Sequence, residues 1–169
     1  MKRISMLAAV LLALGISAAN AENISATLSG YEEVPVVSTV ATGELKGQIS
    51  PDERFIDYEF SYEGLQASVT QAHIHVAQKS VNGVIVIWLC GTTANPGPTG
   101  TPTCTPGSGS FTGTVAASNV VVGTNTQQLA SGELAEVIAA MRAGAAYVNV
   151  HTSATPTGEI RGQIRASNR

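Results

Sequence analysis

The chain has 169 residues and a formal net charge of -3, and only 12% of its residues are charged, about half of the ~25% usual in globular domains. That is enough chain for one domain, too apolar for a disordered acidic tail, and lacks the basic surplus that charge-driven nucleic-acid binding needs. The 17 glycines, with many Thr, Ser and Val, argue against a long helical bundle.

Residues 1–21 read as an export leader. Lys2 and Arg3 precede an apolar stretch from Ile4 to Ile16, and Ala19-Asn20-Ala21 places small residues at both positions of an A-x-A cleavage site. The apolar stretch is too short to span a bilayer, which takes about 20 residues. Cleavage after Ala21 leaves 22–169 as one domain and places it in the periplasm or outside the cell. No later stretch is apolar over a membrane-spanning length, so the mature chain is expected to have no membrane span.

The rest reads as eight or nine short strands. Asn23 to Ser29 and Gly43 to Ile49 come first. In residues 56–63, Ile56, Tyr58, Phe60 and Tyr62 fall on one face, and Asp57, Glu59, Ser61 and Glu63 on the other. That period of two marks a half-buried strand. Thr70 to Ala77 and Val84 to Leu89 follow; the second is apolar on both faces and reads as a central strand. Asn82-Gly83 between them is a hairpin signal.

Cys90 and Cys104 bracket a loop rich in Gly, Thr and Pro. An oxidising compartment favours their pairing. Closing a loop of that size removes about 3 kcal/mol of unfolded-chain entropy.

Phe111 to Ala116 is a further strand. From Ser131 to Gly144 the period changes: Leu134, Val137, Ile138 and Met141 form one face of a short helix. Ser131 is placed to cap it, and Gly144 to stop it. Ala146 to Thr152 returns to strand.

An octapeptide occurs twice. Thr42 to Ile49 reads TGELKGQI and Thr157 to Ile164 reads TGEIRGQI. In each copy the Glu, the basic residue and the Gln share one face of a strand. The expectation is two equivalent strands whose charges lie on a solvated face.

Three histidines form the only constellation with metal-ligating chemistry. His73 and His75 are two apart on a strand and project to the same side. His151 closes the strand in which Tyr147 and Asn149 share its face. His75 precedes Gly83, and His151 precedes Gly158, by similar intervals, so the two hairpins look equivalent. If their strands are neighbours, the imidazoles converge. Three His with an open fourth position suit Cu or Zn. The plainer reading has them hydrogen-bond their neighbours. Glu32, Glu33, Asp57 and Glu59 are further candidate ligands or hydrogen-bond acceptors. No nucleophile elbow, P-loop or dinucleotide fingerprint is present.

AHIHVAQKSVNGVIVIWLC, AEVIAAMRAG, AYVNVHTSATPTGEIRGQI and the earlier TGELKGQI together resemble a CHRD domain, the domain named after chordin, over about Ile24 to Ile164. The resemblance implies an all-β, immunoglobulin-like Greek-key sandwich outside the cell, here with one short helix near the C-terminus. It implies a non-enzymatic binding module for a protein or small ligand, and supplies no catalytic residues. The alternative is a metal-binding protein using His73, His75 and His151 with Cu or Zn.

Overall fold

The computed structural model describes residues 21–122 and 127–167. The expected leader therefore lies outside the described residues, apart from Ala21. The described residues form β1 (Glu22–Ser29), β2 (Thr42–Ile49), β3 (Phe55–Glu63), β4 (Val69–Val76), β5 (Val84–Cys90), β6 (Gly109–Ala116), α1 (Leu134–Arg142), β7 (Ala146–Thr152), β8 (Ile160–Gln163) and β9 (Arg165–Ala166). The all-β expectation holds, with one short helix. No helix among the described residues is long and apolar enough to cross a membrane.

The strands pair antiparallel in the order β5-β4-β7-β8-β1-β2-β3-β6, with β9 also on β1. This is one continuous sheet rather than two separately bonded ones, and it curls until its ends nearly meet. Ile87 and Trp88 of β5 and Thr112 to Val115 of β6 line a common cleft, and Val121, just beyond β6, donates its N–H to Val86 O of β5 (3.0 Å). The Cys90–Cys104 disulfide forms as expected and holds the 91–103 loop at this closure.

Two four-stranded halves join along β1. β1 and β2 pair along their whole lengths, whereas on its other side β1 pairs with β8 at Ser29–Arg161 and with β9 at Ile24–Ala166 and Ser25–Arg165. Gly162 permits the approach there, since a Cβ on it would come within 2.4 Å of Thr27 O. The core lies between the halves. Leu28, Leu45, Ile56 and Phe60 from one meet Ile74, Leu89, Val148 and Val150 from the other, and Val137, Ile138 and Met141 of α1 join them.

In the β2-β3-β6 half, Leu45–Phe60–Phe111 alternates with Gly47–Tyr58–Gly113 and Gly43–Tyr62–Gly109 along the strands. Each tyrosine lies over the glycine beside it on β6, where a Cβ would come within 2.8 Å of the Tyr58 or Tyr62 ring. The large ring covers a neighbour that has no side chain of its own. Tyr58→Ala is accordingly expected to cost about 3 kcal/mol. Glu59→Ala, on the exposed face, should stay within about 0.5 kcal/mol. Urea unfolding of the two variants compares them directly, and equal losses would contradict this facing.

Several local expectations are corrected. Val84 to Leu89 is not a central strand: β5 pairs only with β4 and ends the sheet. Its second apolar face is covered by a loop, with Gly97 so close to Trp88 that a Cβ would lie 2.7 Å from the ring. Asn82-Gly83 is not a two-residue hairpin turn, because β4 and β5 are joined by residues 77–83 and the left-handed residue is Ser80 (φ 62°). Asn82 instead uses its side chain, accepting from Arg161 Nη1 (3.1 Å) and donating to Val34 O (3.3 Å). Ser131 does not cap α1. The helix starts later, and the Ser131 hydroxyl accepts from Val122 N–H (3.0 Å). Gly144 does end it, in the left-handed conformation (φ 64°).

Candidate metal centre

β4 and β7 are adjacent, which settles whether the histidines can meet. His73 registers opposite Asn149, His75 opposite Tyr147, and His151 opposite Gln71. Ala72, Ile74, Val76, Val148 and Val150 take the core side, so alternation puts the three imidazoles, Tyr147 and Asn149 together on the other face. That outer face is not solvated. His73 is 0% exposed, His75 6% and His151 7%.

The cover comes from loops. Gly83 O accepts from His75 Nδ1–H (3.0 Å), and Pro156 O accepts from His151 Nδ1–H (2.9 Å). The Gly83 carbonyl fixes the tautomer of His75 and leaves its Nε2 as a lone pair, whereas His151 has an acceptor oxygen at each ring nitrogen, Pro156 O and Asn149 Oδ1. His151 Nε2 lies 3.1 Å from Asn149 Oδ1 and 3.3 Å from His73 Nδ1. His73 Nε2 and His75 Nε2 are buried without a hydrogen-bond partner among the described residues. One ring nitrogen from each histidine lies within 4.8 Å of the other two. The 3.3 Å between His73 Nδ1 and His151 Nε2 is close to the roughly 3.3–3.4 Å that separates two ligands of a tetrahedral ion with bonds of about 2.0–2.1 Å, which makes Nδ1 the ligand atom of His73 in that arrangement.

Burial holds all three rings neutral. It pushes His73 down to about 2, helped by its two histidine neighbours, and His75 down to about 4; His151 is lowered for the same reason. Neutral imidazole is the form that binds metal.

Aromatic contacts fix the ring planes. His75 stacks on Tyr147 (4.6 Å, 4°), and the Arg161 guanidinium lies 3.4 Å over the same tyrosine. His73 meets Trp88 edge-on at 4.2 Å.

The second octapeptide supplies the frame, and here the expectation of solvated charges fails. Glu44 and Lys46 of the first copy are exposed and pair with each other (2.8 Å). Glu159 and Arg161 are each 1% exposed. Glu159 accepts from Thr39 Oγ1 and Gln66 N–H (both 2.9 Å) and from Thr152 Oγ1 (2.8 Å). Arg161 donates to Val81 O (2.8 Å), Gln78 O (3.4 Å) and Asn82 Oδ1 (3.1 Å). Gln163 donates to Ala77 O (3.0 Å) and Gly144 O (2.8 Å). One strand therefore ties down the 30–41, 64–68 and 77–83 connections, and the last of these supplies Gly83 to His75.

Of the four candidate carboxylates, only Glu33 is buried in this face. It is 5% exposed, and a Cβ on Gly158 would lie 2.2 Å from its Oε1, which has no hydrogen-bond partner among the described residues. Burial raises its carboxyl to about 7, against the pull of a Val34 backbone hydrogen bond, the Arg161 charge and an Asn149 hydrogen bond. It lies outside the three-histidine cluster. Glu32 pairs with Lys79 (3.1 Å), Asp57 accepts from Thr114 Oγ1 (2.5 Å), and Asp57 and Glu59 lie exposed on β3. Arg161 and Glu159 were not foreseen as part of this face. Their only sequence signal was the repeat, which reads the same for a solvated strand.

Comparison with curated proteins found no match, and neither did comparison with solved structures. The CHRD domain family matches residues 24–164, from within β1 to the end of β8, including the helix and all three histidines. The chain belongs to the CHRD domain family.

Proposed function

We propose that this chain is an extracytoplasmic, non-enzymatic binding module whose ligand is a transition-metal ion, Cu or Zn, held by His73, His75 and His151. The observation that carries this reading is the convergence of three neutral imidazoles, one ring nitrogen of each within 4.8 Å of the others, with His75 Nε2 buried and without a hydrogen-bond partner among the described residues. A buried polar atom without a partner is costly unless something fills its place. The carbonyls on His75 and His151 support it further, since metal-bound imidazoles characteristically donate their other N–H in this way. Family membership supports a binding module over an enzyme. The leader at 1–21 and the Cys90–Cys104 disulfide support export to the periplasm or beyond. The core packed between the two four-stranded halves supports the immunoglobulin-like sandwich expected of the family.

Untagged protein purified from the exported fraction should carry, or take up, one Cu or Zn per chain, measured by elemental analysis and by competition with a chromogenic chelator. His75→Ala and His151→Ala should each weaken binding at least about tenfold, as loss of one of three ligands would, while circular dichroism stays native. Absence of stoichiometric binding, or binding indifferent to both substitutions, would sink the proposal.

A further inference from the structure

The charge and number of the donors point to one oxidation state: we infer that the three-histidine site prefers cuprous copper to divalent Zn or Cu, an inference that rests on the metal-binding reading above. Three neutral imidazoles bring no negative charge to the ion. The charged group on the triad's flank is a cation: Arg161 lies over Tyr147, whose ring stacks on His75. Neither nearby acid belongs to the cluster. Glu159 accepts three hydrogen bonds from Thr39, Gln66 and Thr152. Glu33 lies near Arg161 and outside the triad.

The cost of burying an uncompensated charge grows steeply with its size. A divalent ion would bring two positive charges into a buried site already flanked by a guanidinium, whereas Cu(I) brings one. Coordination number points the same way. Zn(II) takes four ligands, and Cu(II) prefers a tetragonal set of nitrogen and oxygen donors. Three nitrogens complete the trigonal shell of Cu(I) without a fourth group. In an open imidazole site Cu(II) would bind most tightly among the divalent ions, so a preference for Cu(I) here reports burial and charge rather than ligand type.

The experiment uses the full mature chain under anaerobic, reducing conditions, with Cu(I) titrated against a chromogenic cuprous chelator. Zn(II) and, in air, Cu(II) are titrated separately against divalent chelators. Cu(I) should bind one per chain and at least about 100-fold more tightly than Zn(II), given the price of the second buried charge. Glu33→Gln should leave Cu(I) affinity within about threefold, because its carboxylate is not a ligand. Zn(II) or Cu(II) binding as tightly as Cu(I), and lost in His73→Ala, would overturn this inference while leaving the metal-binding reading intact. A tenfold loss of Cu(I) affinity in Glu33→Gln would also overturn it. If none of the three ions binds stoichiometrically, the proposed function falls with it.

Discussion

Glu159→Ala should destabilise the protein by about 3 kcal/mol or more, while Glu44→Ala, at the same place in the same octapeptide, should stay within about 0.5 kcal/mol. The local sequences are nearly identical, so strand propensity cannot separate them. The surroundings do. Glu44 is exposed and pairs with Lys46, and exposed pairs contribute little. Glu159 is buried and takes hydrogen bonds from Thr39, Gln66 and Thr152. Each bond to a charged acceptor contributes about 1.5–3 kcal/mol, and truncation leaves buried donors unpaired. Glu159→Gln should recover part of the loss, because the amide oxygen can still accept from Thr39 and Gln66. Chemical denaturation of the four proteins decides it. Similar losses at positions 44 and 159 would mean that the second copy is solvated after all.

The metal-free protein should lose stability on acidification by roughly 1–3 kcal/mol per pH unit between about pH 6.5 and 4.5. His73 and His75 are held down to about 2 and about 4, and His151 is lowered as well. The unfolded chain takes up these protons near 6.5, whereas the folded chain takes them up at His73 and His75 only near about 2 and about 4, and at His151 below its usual value. The stability they confer is therefore present above the unfolded value and is lost as pH falls toward the folded ones. Glu33 runs the other way. Its folded carboxyl is raised to about 7, so its contribution is fully present below about 4.5 and is lost as pH rises through 7. Three imidazoles against one carboxyl leave a net uptake of one to two protons on unfolding in this window. Urea unfolding in the presence of chelator at pH 7.5, 6.0 and 4.5 measures the slope. His75→Phe, which keeps a ring against Tyr147, should remove about one proton from it. Stability that is flat or rises toward pH 4.5 would contradict the buried, neutral triad.

How far the sequence could be read depended on what covers each face. Period-two alternation gave the facing of Ile56, Tyr58, Phe60 and Tyr62, because one side of that strand is solvated. The same period placed His73 with His75, but His151 joined them only on the condition that the two hairpins were neighbours, which the β4/β7 pairing meets. Alternation cannot say whether a face away from the core meets water or a loop. Glu159 and Arg161 therefore read as surface charges, although the 30–41 and 77–83 connections close over them. Glu33 belongs to one of those connections, which has no periodicity to read. Val84 to Leu89 failed for the same reason in reverse: it is apolar on both faces because a disulfide-tethered loop, rather than another strand, lies on it.

Trp88 is the only tryptophan in the chain, and its indole meets His73 edge-on at 4.2 Å. Its ultraviolet emission therefore originates beside one imidazole of the triad, undiluted by any other indole. Whatever alters that imidazole, an ion or a proton, alters the fluorophore's immediate surroundings, and the protein carries an intrinsic optical gauge of its own candidate centre with no label attached.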